Sequence, residues 1–260
     1  MLTAPSETGA SLEGRHALVT GGGRGIGRAV ATALSQTGAD VTVMGRDRAA
    51  LDEAVAAGHA RRALVADVTD AAGFEQALAA LAAEHPVDIL VANAGAAASA
   101  PLSRSDDALF GRMIEVNLMG VVRAVRTLSG GMAERGFGRI VAVASTAGLK
   151  GYAYVSAYAA AKHAVVGFVR SAALELARTG VTVNAVCPGF TDTDLVGESL
   201  DRIVARTGRS RDEALSELAK HNPQGRLVDP DEVADAVLWL CGPRAGAVTG
   251  QAIAVAGGEI

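Results

Sequence analysis

The stretch Thr20-Gly21-Gly22-Gly23-Arg24-Gly25-Ile26-Gly27 lies between an apolar, β-branched run, His16–Thr20, and a segment of helical period, Gly27–Gln36. A strand that passes through glycines into a helix is the entry of a βαβ unit. Glycine at Gly21 and Gly25 lets the backbone turn tightly and come close to a pyrophosphate, while Gly27 lets helix and strand pack without an intervening side chain. Arg24 and Ile26 complete the turn, and the helix that follows offers free N–H donors and the positive end of its dipole. The spacing is G-x3-G-x-G rather than the commoner G-x-G-x-x-G, so a ligand-free glycine-rich turn is the plainer alternative to a dinucleotide site.

Outward from this turn, short apolar runs alternate with longer Ala- and Leu-rich stretches. The runs are His16–Thr20, Val41–Met44, Ala63–Val65, Ile89–Ala92, Ile140–Ala144, Val181–Val186 and Ala252–Val255. Between them helices are predicted over Ala71–Glu84, Asp107–Glu134, Val155–Arg178 and Asp231–Leu240. Near-continuous apolar strands separated by helices imply a parallel sheet covered on both faces. The expected fold is therefore α/β, a Rossmann-type doubly wound parallel sheet of about seven strands with ligands at the carboxyl ends of the strands. Residues 14–260 read as one domain after a flexible polar leader, 1–13. One segment, Phe190 to Asn222, breaks the alternation; Ser210 and Glu213 form a capping box opening a helix Arg211–Lys220, and the excursion, about 190–222, reads as a lid.

Composition narrows the classes. Half of the 260 residues are hydrophobic but only 3% are aromatic, and 31 are glycine, so the core must be built from small aliphatic side chains. A net charge of −4 without charge blocks argues against nucleic-acid or membrane surfaces. No apolar run approaches the ~18 residues of a membrane span. Cys187 and Cys241 are expected as reduced core residues of a cytoplasmic protein, and the lack of Cys/His clustering predicts no metal.

The second strand bears on which dinucleotide would fit. NAD sites of this architecture place an acid at its end, hydrogen-bonded to the ribose. Here the strand ends in Gly45-Arg46, and Arg46, with Arg24, could pair with a 2′-phosphate. The expectation is NADP, with NAD as the alternative; Asp47 directly behind complicates it, and a solvated loop charge is the bland alternative for Arg46.

Tyr158 and Lys162 are one helical turn apart and share a face, and Ser145 ends the fifth strand, where the ligand crevice should lie. With these residues and the upstream turn, the sequence resembles the short-chain dehydrogenase/reductase family, of the short single-domain type, from Leu18 to Gly258. Thr20–Gly27 matches the family's TGxxxGxG, Asn93-Ala94-Gly95 the core of NNAG, Ser145 with Tyr158 and Lys162 the Ser/YxxxK triad, and Pro188-Gly189 with Thr193 the PGxxxT element. The resemblance implies that Asp67-Val68 lies at the adenine ring, that Pro188, Gly189 and Thr193 position the nicotinamide carboxamide, and that Asn117 holds a water relaying protons from Lys162. A helix-kink role is the plainer reading of Asn117. Ala92 in place of the first Asn of NNAG and Ala256 before Gly257-Gly258 depart from the pattern at positions that look structural.

The implied reaction moves a hydride between a nicotinamide and a ketone or secondary alcohol. Tyr158 would be acid/base, made more acidic by the Lys162 ammonium, and Ser145 would hydrogen-bond the developing oxyanion. Glu175–Gly180 and Val183–Phe190 resemble aromatic-polyketide ketoreductases and 3-oxoacyl reductases, whereas Asn222–Arg226 resembles 3-hydroxybutyrate and 3-hydroxyacyl-CoA dehydrogenases. The implied substrate is thus a small carbonyl or alcohol, with a coenzyme A or acyl-carrier thioester as one form; Arg202, Arg206, Arg209 and Arg211 could meet such a carrier's phosphates, but on a polar helix they read first as solvated charges. His163 and His221 read as bystanders. The resemblance also implies a homotetramer, and a non-catalytic dinucleotide sensor is a more distant alternative.

Overall fold

The computed structural model describes residues 11–260 except 194, 195, 198, 199, 202, 203, 206, 207 and 209. Most of the expected leader and Arg202, Arg206 and Arg209 therefore lie outside the described residues.

Seven strands form one all-parallel sheet: β1 (His16–Thr20), β2 (Asp40–Gly45), β3 (Arg62–Val65), β4 (Ile89–Ala92), β5 (Gly138–Val143), β6 (Val181–Pro188) and β7 (Ala252–Val255). Their order is β3-β2-β1-β4-β5-β6-β7, so the direction of winding reverses between β1 and β4. A crevice opens at the carboxyl ends of the strands where the order reverses.

Alternation along the strands divides the core in two. Leu18, Leu90, Ile140 and Val183 face α3 (Ala71–Glu84), α5 (Gly120–Glu134) and α6 (Ser156–Leu176). Ala17, Val19, Val91 and Val141 face α1 (Gly25–Gln36), α2 (Arg48–Ala56) and α8 (Pro230–Cys241). Cys187 and Cys241 are both free and buried. Among the described residues, no helix is long and apolar enough to cross a membrane, and no cluster of potential metal ligands occurs.

Three local departures from the expected elements have physical causes. The first helix begins at Gly25, two residues early; Gly25 takes φ +52°, a left-handed conformation in which the chain turns from the strand into the helix. A helix that the periodicity did not suggest, α2, is set by Asp47, whose side chain accepts from the Ala50 amide at 3.2 Å. Asp47 is therefore an N-cap. The stretch Asp107–Glu134 is not one α-helix: α4 (Asp107–Ile114) passes through a π-helical turn, Glu115–Met119, before α5.

The excursion after β6 has a small core of its own, with Val196, Leu200, Ala214 and Leu218 packed against Phe190 and Leu227. Its helix α7 (Arg211–Ala219) carries the expected capping box between Ser210 and Glu213. A short parallel bridge ties the two ends together: Val228 donates to Phe190 O at 2.8 Å, and Asp192 donates to Val228 O at 2.9 Å. Arg211 pairs with Asp201 instead of standing free to meet a phosphate.

Candidate active site

The glycine-rich turn is fastened to the sheet by hydrogen bonds from the end of β4. Thr20, the last residue of β1, is buried, and its hydroxyl accepts from both the Asn93 and Ala94 amides at 3.0 Å. Asn93 in turn donates from Nδ2 to Thr20 O (3.0 Å) and Gly21 O (3.2 Å). Asn93 thus supports the turn, a role that its motif did not disclose. A Cβ on Gly27 would lie 2.2 Å from Gly21 O, and a Cβ on Gly21 2.8 Å from Asn93 Nδ2, so neither position has room for a side chain.

These residues fit a dinucleotide. Gly21 and Gly25 both have positive φ, +67° and +52°, which leaves the backbone of the turn open at the crevice. Helix α1 begins there with no side-chain cap and no acid in its first turn, so its amide donors are free for an anion. Thr193 lies opposite: its Cγ2 would be 3.2 Å from a Cβ on Gly25, while its hydroxyl donates to Thr191 O. The Pro188-Gly189 turn is held to β7 by Gly189 N–H donating to Val255 O at 3.0 Å. The sheet therefore brings together Gly21, Gly25, Gly189 and Thr193 from opposite ends of the sequence. Arg24 at the start of α1 is exposed, and Ile26 is partly buried.

At the end of β2, Arg46 stands with its side chain exposed, 3.8 Å from Asp67. Burial alone would raise the Asp67 pKa, but the Thr69 amide and hydroxyl, with Arg46, outweigh it and hold the carboxyl below its usual value. Val68 is buried against Gly120, and its carbonyl accepts from Arg123 at 3.0 Å, so only its backbone amide could touch a ligand there.

Ser145 lies two residues past the end of β5, not at the strand end itself, and caps a short 3-10 turn, Thr146–Gly148, accepting from the Ala147 amide at 3.1 Å. Tyr158 and Lys162 lie on the first turns of α6. Burial pushes the Tyr158 phenol up from its ordinary pKa, the Ser145 hydrogen bond pulls it down, and proximity to Cys187 adds to the rise. The net direction is upward, opposite to the acidification expected from Lys162. The reason is geometric: Lys162 Nζ stands 5.7 Å from the Tyr158 ring centroid and donates to Val143 O at 2.9 Å. Burial also lowers the lysine, to about 8.

Asn117 sits in the π-helical turn and is 1% exposed. Its Nδ2 donates to Ala96 O (2.9 Å) and Met113 O (3.1 Å), and its Oδ1 accepts from the Ala96 amide (3.2 Å). These bonds join the loop after β4 to α4, as the kink reading anticipates. A Cβ on Gly95 would meet Asn117 Oδ1 at 2.7 Å and Lys162 Nζ at 3.6 Å, so all three converge beside the serine and tyrosine. Ala92 and Ala256 are buried, in keeping with structural positions. His163 turns back to Ala159 O at 2.9 Å, but His221 is not a bystander: its ring packs 5.8 Å from Tyr152 and 5.4 Å from Phe190. Tyr152 was not singled out from sequence, and its ring partners Phe190 and His221 are too distant along the chain for local spacing to reveal them.

Comparison with known proteins agrees with this arrangement. The sequence profile described as short chain dehydrogenase matches residues 15–203. A Vibrio harveyi protein named 3-oxoacyl-[acyl-carrier-protein] reductase FabG is 39% identical over 254 residues, covering 95% of this chain and 98% of that one. The crystal structure of a tryptophan variant of actinorhodin polyketide ketoreductase with NADPH superposes with a TM-score of 0.89 at 39% identity, over 94% of this chain and 97% of that one. Levodione reductase gives 0.89 at 32% identity, over 95% and 98%.

Proposed function

The chain belongs to the short chain dehydrogenase family, and from that premise we propose that it is an NADP-dependent ketoreductase acting on 3-oxoacyl compounds, thioester or polyketide. The observation that carries the reading is that Ser145, from the turn after β5, and Tyr158 and Lys162, from one face of α6, come together at the carboxyl edge of the sheet, the serine close enough to the phenol to pull its pKa down. The names of the Vibrio harveyi relative and of the actinorhodin neighbour support the substrate class and the cofactor. At the adenine end, Arg46 stands where NAD sites carry an acid, and Asp47 is engaged as a helix cap, which supports NADP.

When bound, a reduced nicotinamide supplies the hydride. The chain's own residues do the rest. Gly21, Gly25, Ile26 and Gly27 with the start of α1 hold the pyrophosphate, Arg24 and Arg46 meet the 2′-phosphate, and Asp67 with the Val68 amide borders the adenine. Asn93, Ala94 and Gly95 line the middle of the dinucleotide, and Pro188, Gly189 and Thr193 hold the carboxamide. Ser145 donates to the substrate oxygen, and Tyr158 gives that oxygen its proton. Lys162 returns the proton through the space it shares with Asn117 and Gly95.

We place the protein in the cytoplasm as a homotetramer meeting through α5 and α6, with residues 14–260 as one catalytic domain and 190–222 as its lid. Leu174 on α6, 80% exposed, supports such an interface. The test is loss of NADPH absorbance with a panel of 3-oxoacyl thioesters and cyclic ketones, in parallel with NADH. Tyr158→Phe should lower turnover by roughly 10²–10⁴-fold with NADPH affinity unchanged. Full activity in that variant, or no reduction of any carbonyl by the parent, would sink the reading.

A further inference from the structure

One buried carboxylate lies beside the site without a part in the chemistry above. Glu259, in the segment after β7, has a side chain only 2% exposed. Its Oε1 accepts from the Tyr152 hydroxyl at 2.6 Å and pairs with Lys150 Nζ at 3.1 Å, and Lys150 also donates to the Glu259 carbonyl at 3.3 Å. Its Oε2 is buried without a hydrogen-bond partner. An ionisable side chain is rarely enclosed in this way unless its position matters, because stripping a carboxylate of water is costly.

The three segments that meet at Glu259 are those that shape the site. Tyr152 Oη is also 2.6 Å from Thr146 Oγ1. The phenol has one proton and the carboxylate can only accept, so the run of donors is Thr146 to Tyr152 to Glu259. Thr146 is buried and directly follows Ser145 in the 3-10 turn, so fixing its hydroxyl fixes the backbone that aims the serine. Glu259 Oε2 also covers the turn after β6, where a Cβ on Gly189 would meet it at 3.2 Å. From the lid come Phe190, 6.2 Å from the Tyr152 ring, and His221, whose Nδ1 is 3.9 Å from Glu259 Oε1.

We propose that Glu259 is a positioning residue that fastens the Ser145 loop, the Gly189 turn and the far end of the lid into one unit, acting on the reaction through Tyr152 and Thr146. The proposal rests on the ketoreductase reading, because it assigns Ser145 the substrate oxygen. It also makes the segment after β7 part of the site, although that segment reaches neither the triad nor the glycine-rich turn.

The test uses the full chain with Glu259→Ala, Glu259→Gln, Tyr152→Phe and the double variant Tyr152→Phe/Glu259→Ala. Loss of a hydrogen bond to a charged group should lower kcat about tenfold in Glu259→Ala and in Tyr152→Phe; NADPH affinity should hold in Tyr152→Phe and weaken in Glu259→Ala, which also frees the Gly189 turn. Glu259→Gln should recover most of kcat, because its amide oxygen still accepts from Tyr152. The double variant should be no slower than the slower single variant, since both cut the same path. Hydrogen exchange without substrate or cofactor gives an independent readout: in Glu259→Ala, residues 146–154 and 219–226 should speed up together, and in Glu259→Gln neither should. The proposal fails if folded Glu259→Ala retains the parent kcat, if the two single losses multiply, or if faster exchange is confined to 256–260. If the parent reduces no carbonyl, the ketoreductase reading fails, and the exchange pattern alone decides whether the three segments are coupled.

Discussion

Thr20→Val isolates what the end of β1 contributes to the site. Valine has nearly the shape of threonine, so the substitution leaves the buried volume intact and removes one oxygen. That oxygen accepts from two backbone amides, Asn93 and Ala94, each at 3.0 Å. An unmet buried donor costs about 1–3 kcal/mol. Asn93 and Ala94 are only partly buried, so water can reach them in part and the lower end applies, about 1 kcal/mol each. The sum, about 2 kcal/mol, corresponds to a fall in Tm of roughly 4–8 °C for a chain of this size. The same loss frees the loop that carries Gly95, so NADPH affinity should weaken as well. Thermal and urea unfolding without cofactor, followed by calorimetric titration with NADPH, measure both effects. Thr20→Ser keeps the acceptor and should stay close to the parent. If Thr20→Val unfolds with the parent, or Thr20→Ser is equally destabilised, the hydroxyl is not what holds the two strand ends together.

Two further outcomes are expected. Arg46→Ala should weaken NADPH binding by about 10–100-fold, the worth of a charge-assisted hydrogen bond, and leave NADH binding unchanged, whereas equal loss for both cofactors would deny Arg46 the 2′-phosphate. Lys162 has a folded pKa of about 8 against 10.5 in the free side chain, so above pH 8 the unfolded chain holds more protons at this residue than the folded one, and its contribution to stability rises with pH. The buried thiols of Cys187 and Cys241, raised to about 11 and about 12 against 9 in the free side chain, oppose that rise from about pH 9, so the lysine is read as the difference between the parent and Lys162→Met, which should grow from about pH 8 towards 10. A difference that stays flat over that range would show that the ammonium is not penalised by burial.

How far such properties could be read from the sequence depended on how local their causes are. β1, β4 and β7 were bounded correctly because each is a short apolar run between polar or glycine-rich neighbours. The glycine-rich turn and the triad were legible because each depends on spacing within one or two elements. Helix α2 escaped because Arg48–Ala56 is weakly amphipathic and its decisive feature is a single cap, Asp47. The π-helical turn escaped because its cause is tertiary: the Asn117 side chain bonds Ala96 across the crevice. The direction of the Tyr158 shift was misjudged for a related reason. Helical spacing puts Lys162 on the same face, but the ammonium turns to Val143 O, and the depth of burial, which no spacing reports, decides the sign. Glu259 and Tyr152 are 107 residues apart, and only the closed fold makes them neighbours.

The helix starts show where this fold leaves its polar groups open. Asp47, Asp70, Asp106, Ser210 and Asp229 cap α2, α3, α4, α7 and α8 with a side-chain acceptor. Helix α5 runs on directly from the π-helical turn and has no start of its own to cap, which leaves α1 and α6, beginning after Arg24 and Val155, as the two free starts with no such cap. A missing cap costs about 1 kcal/mol, and a chain that supplies one at five helix starts has no general reason to omit it at two. Both omissions lie at the crevice: α1 opens on the glycine-rich turn, and α6 opens two residues before Tyr158. The amides left free at α1 suit a pyrophosphate, and a side-chain cap there would compete with it. At α6, the chain instead reaches its first turn through Tyr154, in the left-handed region at φ +69°, with its carbonyl held by the Ala100 amide at 2.8 Å. The loops after β4 and β5 are joined by that bond, so the start of α6, and with it Tyr158, is positioned by the rim of the crevice instead of by a cap of its own.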